Sequence, residues 1–191
     1  MHFEIKHRFT GAVLFALETD SLRLCVEAAI KSGSDLRWSD LSGSDLRWSD
    51  LSGSDLRWSD LSCSNLRGSD LSGSNLSGSD LSCSNLRGSD LRGSNLSGAH
   101  LQDTHGQKLT LLDDHAVLQL GPLGSRSDYL IAFRTDRGPW LRAGCFWGDL
   151  AAFKAAVEET HGAAKHGDEY RAAVAFIEAW NATWTAKTET R

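Results

Sequence analysis

The sequence predicts a mainly β protein: a solenoid of short repeated turns, set between an N-terminal cassette and a C-terminal α/β domain. Three observations predict it. Leucine recurs at every fifth residue from Leu36 to Leu101, fourteen times without a miss. Serine stands two residues before thirteen of those leucines, with Ala99 the one exception. The composition also changes at both borders of the run. Its middle is almost entirely Ser, Asp, Asn, Leu, Gly and Arg, whereas the ends are rich in aromatic and aliphatic residues.

The leucine period excludes the ordinary elements. In an α-helix five residues turn the chain about 500°, so successive leucines drift by about 140° and form no stripe. In a flat strand an odd period puts successive leucines on opposite faces. Each unit must therefore carry its own bend if all the leucines are to point one way, and a chain that bends alike every five residues closes around them.

The elements follow in chain order. Residues 1–33 form the first cassette. The stretch FEIKHRFTGAVLFAL (3–17) reads as two short strands around Thr10-Gly11. Residues 21–32 read as an amphipathic helix with Leu22, Val26, Ala29 and Ile30 on one face and Gly33 at its C-terminal end. A terminal coil exposes its core and its unpaired strand edges, so this cassette is expected to cover the first one.

Residues 34–103 are the repeat, each unit reading Ser-(Asp/Asn)-Leu-(Arg/Ser)-(Trp/Gly/Cys). This pattern resembles the pentapeptide-repeat family: a small residue, Asp or Asn, a central Leu or Phe, and two variable positions. The resemblance implies a right-handed quadrilateral β-helix with four units per coil. Fourteen units then give about 3.5 coils, rising roughly 17 Å at ~4.8 Å per strand. Leu and the small residue point inward and the other three positions outward, with Asp and Asn suited to the turns. Serine at the inward small position, where the family more often has Ala, buries a hydroxyl at a cost of about 1–3 kcal/mol unless bonded. These hydroxyls are expected to reach neighbouring backbone carbonyls or one another.

With four units per coil, residues twenty apart share a face. The first face carries Asp35, Asp55, Asn75 and Asn95 with Arg37 and Arg57; the third carries Asp45, Asn65 and Asn85 with Arg47, Arg67 and Arg87. Together they are net +2. The second (Asp40, Asp60, Asp80, His100) and the fourth (Asp50, Asp70, Asp90), counted with Arg92 and Asp103, are net −6. Like charges stacked at strand spacing repel. Two readings of these faces stand: a solvated surface, or a charged contact surface. Trp38 and Trp58 share the first face and Trp48 lies on the third, each beside an arginine, a pairing that binding hot spots favour; the alternative is packing under a cap. The segment GSDLRWSDLS occurs three times over residues 33–62, as a duplication or a designed consensus would produce. Cys63 and Cys83 stack on the second face within Cα range of a disulfide, in an orientation poor for one, and are read as thiols.

Residues 104–191 read as a small α/β domain of three strands and two helices. The strands are 115–121, 128–135 and 139–145, with turns at Gly121-Pro122 and Asp136-Arg137-Gly138. Asp149 caps a first helix that presents Leu150, Phe153 and Val157 and ends by Gly162. A second, about 168–184, presents Tyr170, Val174, Ile177, Trp180 and Trp184. Cys145, with His161 or His166, could form a thiol nucleophile pair. The two histidines lack the further ligands a zinc site needs, and Gly121-Pro122-Leu123-Gly124-Ser125-Arg126 matches no phosphate-loop spacing. The stretches FEIKHRFTGAVLFALE and GPLGSRSDYLIAFRTDRGPWLRAGCFWG are similar to segments that flank pentapeptide repeats in some phage and bacterial proteins, and transfer no site residues.

Charge and composition narrow the function. The net charge of −5 lies almost wholly in the repeat, which argues against direct nucleic-acid binding. No stretch approaches the roughly 20 apolar residues of a membrane span. The N-terminus lacks the apolar core of a secretory signal. The four cysteines form no CxxC pair, which suits a cytoplasmic protein with reduced thiols. The expectation is a non-enzymatic scaffold or protein-binding module without cofactor or metal. Its candidate partner surface is Asp40, Asp60, Asp80, Asp50, Asp70, Asp90, Trp38, Trp48 and Trp58. Two alternatives remain. In one branch of the family, acidic β-helices resemble duplex DNA and bind topoisomerases such as gyrase. The other is a thiol-dependent enzyme in the C-terminal domain.

Overall fold

Every five-residue unit but the last closes on a residue with positive φ, which makes the bend that the leucine period demands. From Gly33 to Gly98 this position holds nine glycines, three tryptophans and two cysteines, at φ between 57° and 72°. The computed structural model describes residues 1–124 and 128–188; Ser125, Arg126 and the side chain of Trp184 lie outside the described residues. The protein is mainly β with some helices and divides into two compact units, Met1–Val117 and Leu118–Arg191.

The first unit opens with an antiparallel hairpin, β1 (His2–His7) and β2 (Val13–Glu18), turned at Gly11 with φ 69°. Helix α1 (Leu22–Lys31) follows. Ser21 caps it by accepting from Leu24 N at 3.3 Å, and Cys25, Val26 and Ala29 form its buried side. β1 then pairs antiparallel with β3 (Ser39–Asp40), giving the order β2-β1-β3. From β3 onward, parallel bridges join residues twenty apart: Asp40 to Asp60 to Asp80 to His100, Asp45 to Asn65 to Asn85, Asp50 to Asp70 to Asp90, and Asp55 to Asn75 to Asn95. Four units thus return the chain beside itself, and backbone bonds such as Leu41 N to Asp60 O (2.8 Å) and Asp60 N to Ser39 O (2.8 Å) tie each passage to the next.

Inside this ladder all fourteen leucines are at most 4 % exposed. Apart from Ser34, whose Oγ lies 2.9 Å from that of Ser32, the bonded inward serines reach backbone and not one another. From Ser44 to Ser94, each Oγ donates to the carbonyl of the leucine three residues earlier, at 2.5–2.7 Å. The hydroxyl therefore costs little where it replaces a methyl. Ser39, opposite His7 of β1, is the exception: its buried Oγ has no partner.

The ladder ends on a second hairpin that the sequence does not announce. β4 (His100–Gln102) pairs with β5 (Lys108–Thr110), and Leu111 accepts from Gly98 N and donates to Ala99 O, both at 3.0 Å. Three-residue strands carry too little alternation to be read as strands.

The second unit holds a four-stranded sheet in the order β6-β7-β8-β9: Val117–Leu123, Asp128–Thr135, Gly138–Ala143 and Phe146–Asp149. β9 is a fourth strand beyond the three expected; it fills the span between the turn at Gly144-Cys145 and the helix cap at Asp149, where only Phe146-Trp147 hints at it. Helix α2 (Leu150–His161) is capped by Asp149, which accepts from Ala152 N at 2.7 Å, and stops at Gly162. Helix α3 spans Lys165–Thr188. Leu130, Ala132 and Leu141 of the sheet pack with Phe153 and Val157 of α2 and Val174 and Ile177 of α3. Arg134, only 4 % exposed, lies 3.9 Å over the Trp180 ring and donates to its carbonyl at 2.8 Å.

Candidate interaction surface

The fifth position of each unit points outward, and where it holds tryptophan the indole leans along the ladder over the residue twenty positions on. Trp48 covers Gly68, where an added Cβ would lie 2.3 Å from the ring; Trp58 covers Gly78 in the same way, at 2.2 Å. Trp38 has Trp58 rather than glycine beneath it, and the two indoles stack at 5.4 Å and 12°. Phe9, from the β1–β2 turn, closes on Trp38 at 5.8 Å, and the His7 ring stacks on Trp38 at 6.4 Å. Phe9, Trp38, Trp58 and the backbone of Gly78 thus form one aromatic column. It stays open to solvent: Phe9 is 71 %, Trp38 37 % and Trp58 47 % exposed, and Trp48, on the opposite face, 68 %.

Tryptophan at positive φ is a genuine backbone outlier. The three have φ of 62°, 60° and 62°. The fold does not require them there, because glycine serves eight other units. The signal was present in the sequence: tryptophan shares its position with glycine.

The arginines beside the tryptophans are clamped within their own units. Arg37, Arg47 and Arg57 each grip the aspartate two residues earlier through two nitrogens, with Nε to Oδ1 at 2.8 Å in all three. The guanidinium holds the carboxyl of Asp35 down to about 2, and those of Asp45 and Asp55 below the usual range. Beside each tryptophan, arginine and aspartate therefore form a neutralised pair, whereas Arg67 and Arg87 follow Asn65 and Asn85 and leave the two faces net positive.

On the acidic faces, Asp40, Asp60 and Asp80 form one bridged column and Asp50, Asp70 and Asp90 another. The Oδ1 of Asp40, Asp50, Asp60, Asp70 and Asp80 accepts from the backbone N of the serine two residues on, at 2.9–3.1 Å. Like-charged carboxylates one strand apart are thus each steadied by their own turn. Two are also ion-paired: Asp90 with Arg92, and Asp60 with Arg8 at 3.4 Å. Arg8 donates in addition to the carbonyl of Trp58 at 2.8 Å and covers the Phe9 ring at 5.2 Å, so it joins the acidic column to the aromatic one.

Cys63 and Cys83 are exposed free thiols in adjacent positions of one column. Desolvation, then contact with the Cys63 thiol and Asp80, pushes the Cys83 thiol up; its Sγ also donates to Gln102 Oε1 at 2.5 Å.

In the second unit, Cys145 is exposed between β8 and β9. It shares a cleft of about 310 Å³ with Asp128, Thr160, His161 and Tyr170. His161 stacks on Tyr170 at 5.4 Å, and its ring is 6.2 Å from that of His166, whose Nδ1 is 3.1 Å from Glu169. Among the described residues no group of three or more His, Cys, Asp or Glu side chains could hold a metal ion, and no helix is long and apolar enough to cross a membrane.

Comparison with known proteins identifies the repeat. The pentapeptide-repeats family matches residues 32–68 and 59–98, with eight copies. Among solved structures, a pentapeptide repeat protein from the cyanobacterium Cyanothece 51142 is 29 % identical over 31 % of this chain and 37 % of its own, with a TM-score of 0.19. A pentapeptide repeat protein from Nostoc Pcc 7120 is 28 % identical over 42 % of this chain and 78 % of its own, with a TM-score of 0.17. No curated protein matches the chain.

Proposed function

We propose, from the premise that residues 32–98 are pentapeptide repeats, that this chain is a non-enzymatic, cytoplasmic protein-binding module. Its scaffold is a right-handed quadrilateral β-helix of about 3.5 coils at ~4.8 Å per strand, covered at one end by β1, β2 and α1 and at the other by the β4–β5 hairpin. The partner is a protein, taken up on the column of Trp38 and Trp58 and the flanking acidic column of Asp40, Asp60 and Asp80. Trp48, with Asp50, Asp70 and Asp90, forms the second contact face.

One observation carries this reading. The Trp38–Trp58 stack is solvent-exposed and sits at positive φ, a conformation that costs a bulky residue of order 1–3 kcal/mol at each site. Glycine at the same position would remove that strain, so the tryptophans are best accounted for by what they meet outside the chain. Large aromatic anchors dominate binding energy at protein interfaces. The topoisomerase reading, which needs a dense track of charge like that of duplex DNA, at one per ~1.7 Å, is thinned by the pairing of Asp60 with Arg8 and Asp90 with Arg92.

The test is comparative capture. Glycine fits the backbone at both sites, so Trp38→Gly/Trp58→Gly keeps the scaffold and removes the column. A specific protein ligand captured by the parent should be lost at least about tenfold by this variant, because each hot-spot truncation costs roughly 2 kcal/mol or more. Equal capture by both proteins, with turnover of a substrate that Cys145→Ala abolishes, would sink the proposal.

A further inference from the structure

The two cysteines of the ladder occupy a position that glycine or tryptophan otherwise fills. Cys63 and Cys83 are twenty residues apart, at φ of 57° and 60°, so their side chains leave the backbone in the same direction. Cys63 N donates to Ser82 O at 2.8 Å, which sets the two residues side by side on neighbouring passages of the chain. Both thiols are exposed, uncrosslinked and in contact with each other.

We propose that Cys63 and Cys83 form a two-thiolate binding site for a soft, thiophilic, monovalent cation of the Cu(I) type. Geometry favours a bridging ion over a direct sulfur–sulfur bond. Parallel side chains on neighbouring strands hold their Cβ atoms near the strand spacing of ~4.8 Å, beyond the roughly 3.5–4.5 Å that a disulfide needs. At the ~2.3 Å of a zinc–thiolate bond, taken as the scale for a metal–sulfur bond, two such bonds in line set the sulfurs roughly 4.6 Å apart, close to that spacing. Thiolate sulfur selects soft cations such as Cu(I). Zinc would ask for four ligands, and the described residues offer no third His, Cys, Asp or Glu to the pair. Charge favours the same ligand: Asp80 stands three residues before Cys83 on the acidic column, whose Asp60 is already paired with Arg8. A cation relieves the repulsion that two neighbouring thiolates and Asp80 would otherwise suffer. On binding, two S–H bonds break and two metal–sulfur bonds form. Two protons leave to solvent, and no oxidant is consumed.

The experiment is an anaerobic titration of the reduced protein with Cu(I), in competition with a colorimetric Cu(I) chelator. One equivalent should bind with release of protons. Cys63→Gly and Cys83→Gly, both suited to the local backbone, should each weaken binding about a hundredfold or more, as loss of a direct ligand does at least as much as loss of its support. Cys145→Ser, which removes the other exposed thiol, should leave the equivalent in place. The proposal is overturned if either glycine variant binds within about threefold of the parent, if binding follows Cys145 instead, or if the protein loses two free thiols to a disulfide and takes up no copper.

Discussion

Gly73 and Gly78 offer a matched pair that isolates what an indole does to the ladder. Both have φ near the same value, +64° and +67°. A Cβ at Gly73 would meet nothing within 4 Å, whereas one at Gly78 would lie 2.2 Å from Trp58 Cε3 and 2.3 Å from Cζ3. Gly73→Ala therefore carries only the left-handed backbone cost of ~1–2 kcal/mol. Gly78→Ala carries that cost and also drives the indole off its seat. The stack with Trp38 is then forfeited, a contact worth ~0.5–1.5 kcal/mol beyond area burial. The expected losses are about 1–2 kcal/mol for Gly73→Ala and about 1.5–3.5 kcal/mol for Gly78→Ala. At about 2–4 °C per kcal/mol for a chain of this size, the melting temperatures should differ by several degrees. Urea and thermal unfolding followed by far-UV circular dichroism measure the gap, and near-UV dichroism reports the displaced indole. In a Trp58→Gly background the gap should close. Equal losses within ~0.3–0.5 kcal/mol, or a gap that survives Trp58→Gly, would refute the reasoning.

The inward serines should divide by sign. Ser69→Ala gives up one bond to Leu66 O, made at 2.5 Å, but that carbonyl still accepts from Ser69 N at 3.1 Å, so the loss should stay near ~1 kcal/mol. Ser39→Ala removes a buried hydroxyl without a partner and should instead stabilise by about 1 kcal/mol; denaturation midpoints of the two variants decide it. Asp35 gives a pH test. Its folded carboxyl sits at about 2, held there by Arg37. That is below the unfolded value of about 3.9, so the stabilisation is present above pH ~4 and fades as pH falls toward 2. The pair is half-exposed, so the effect should stay under about 1 kcal/mol. Urea midpoints of Asp35→Asn should lie slightly below those of the parent near neutrality and converge with them at pH 2.

The ladder was legible because one residue type repeats without interruption. Leu36 to Leu101 dictates the bend, and the twenty-residue register follows once four units make a coil, so Trp38 over Trp58 and Asp40 beside Asp60 could be placed in advance. What stayed hidden depends on a third angle of reading. Nothing about tryptophan suggests a left-handed backbone; only its alternation with glycine does. The face-by-face map sets an arginine beside each indole but passes over the contact that each arginine makes with its own aspartate two residues back. β5 and β9 are invisible in the pattern because three and four residues carry no usable period. They are held by pairing with β4 and β8, which lies outside their own sequence.

A full passage around the ladder takes twenty residues, but the segment copied in the chain, GSDLRWSDLS, is ten. Gaining or losing one copy would advance everything downstream by half a circuit while leaving the leucine spacing and the buried serines untouched. The added tryptophan would fall in line with Trp48 and give it the stacked neighbour it lacks. Two copies would restore every downstream residue to its original side. Slippage in the gene can therefore reshuffle which side chains share a surface without passing through a misfolded protein, and an even or odd copy number decides which of two surface patterns the molecule displays.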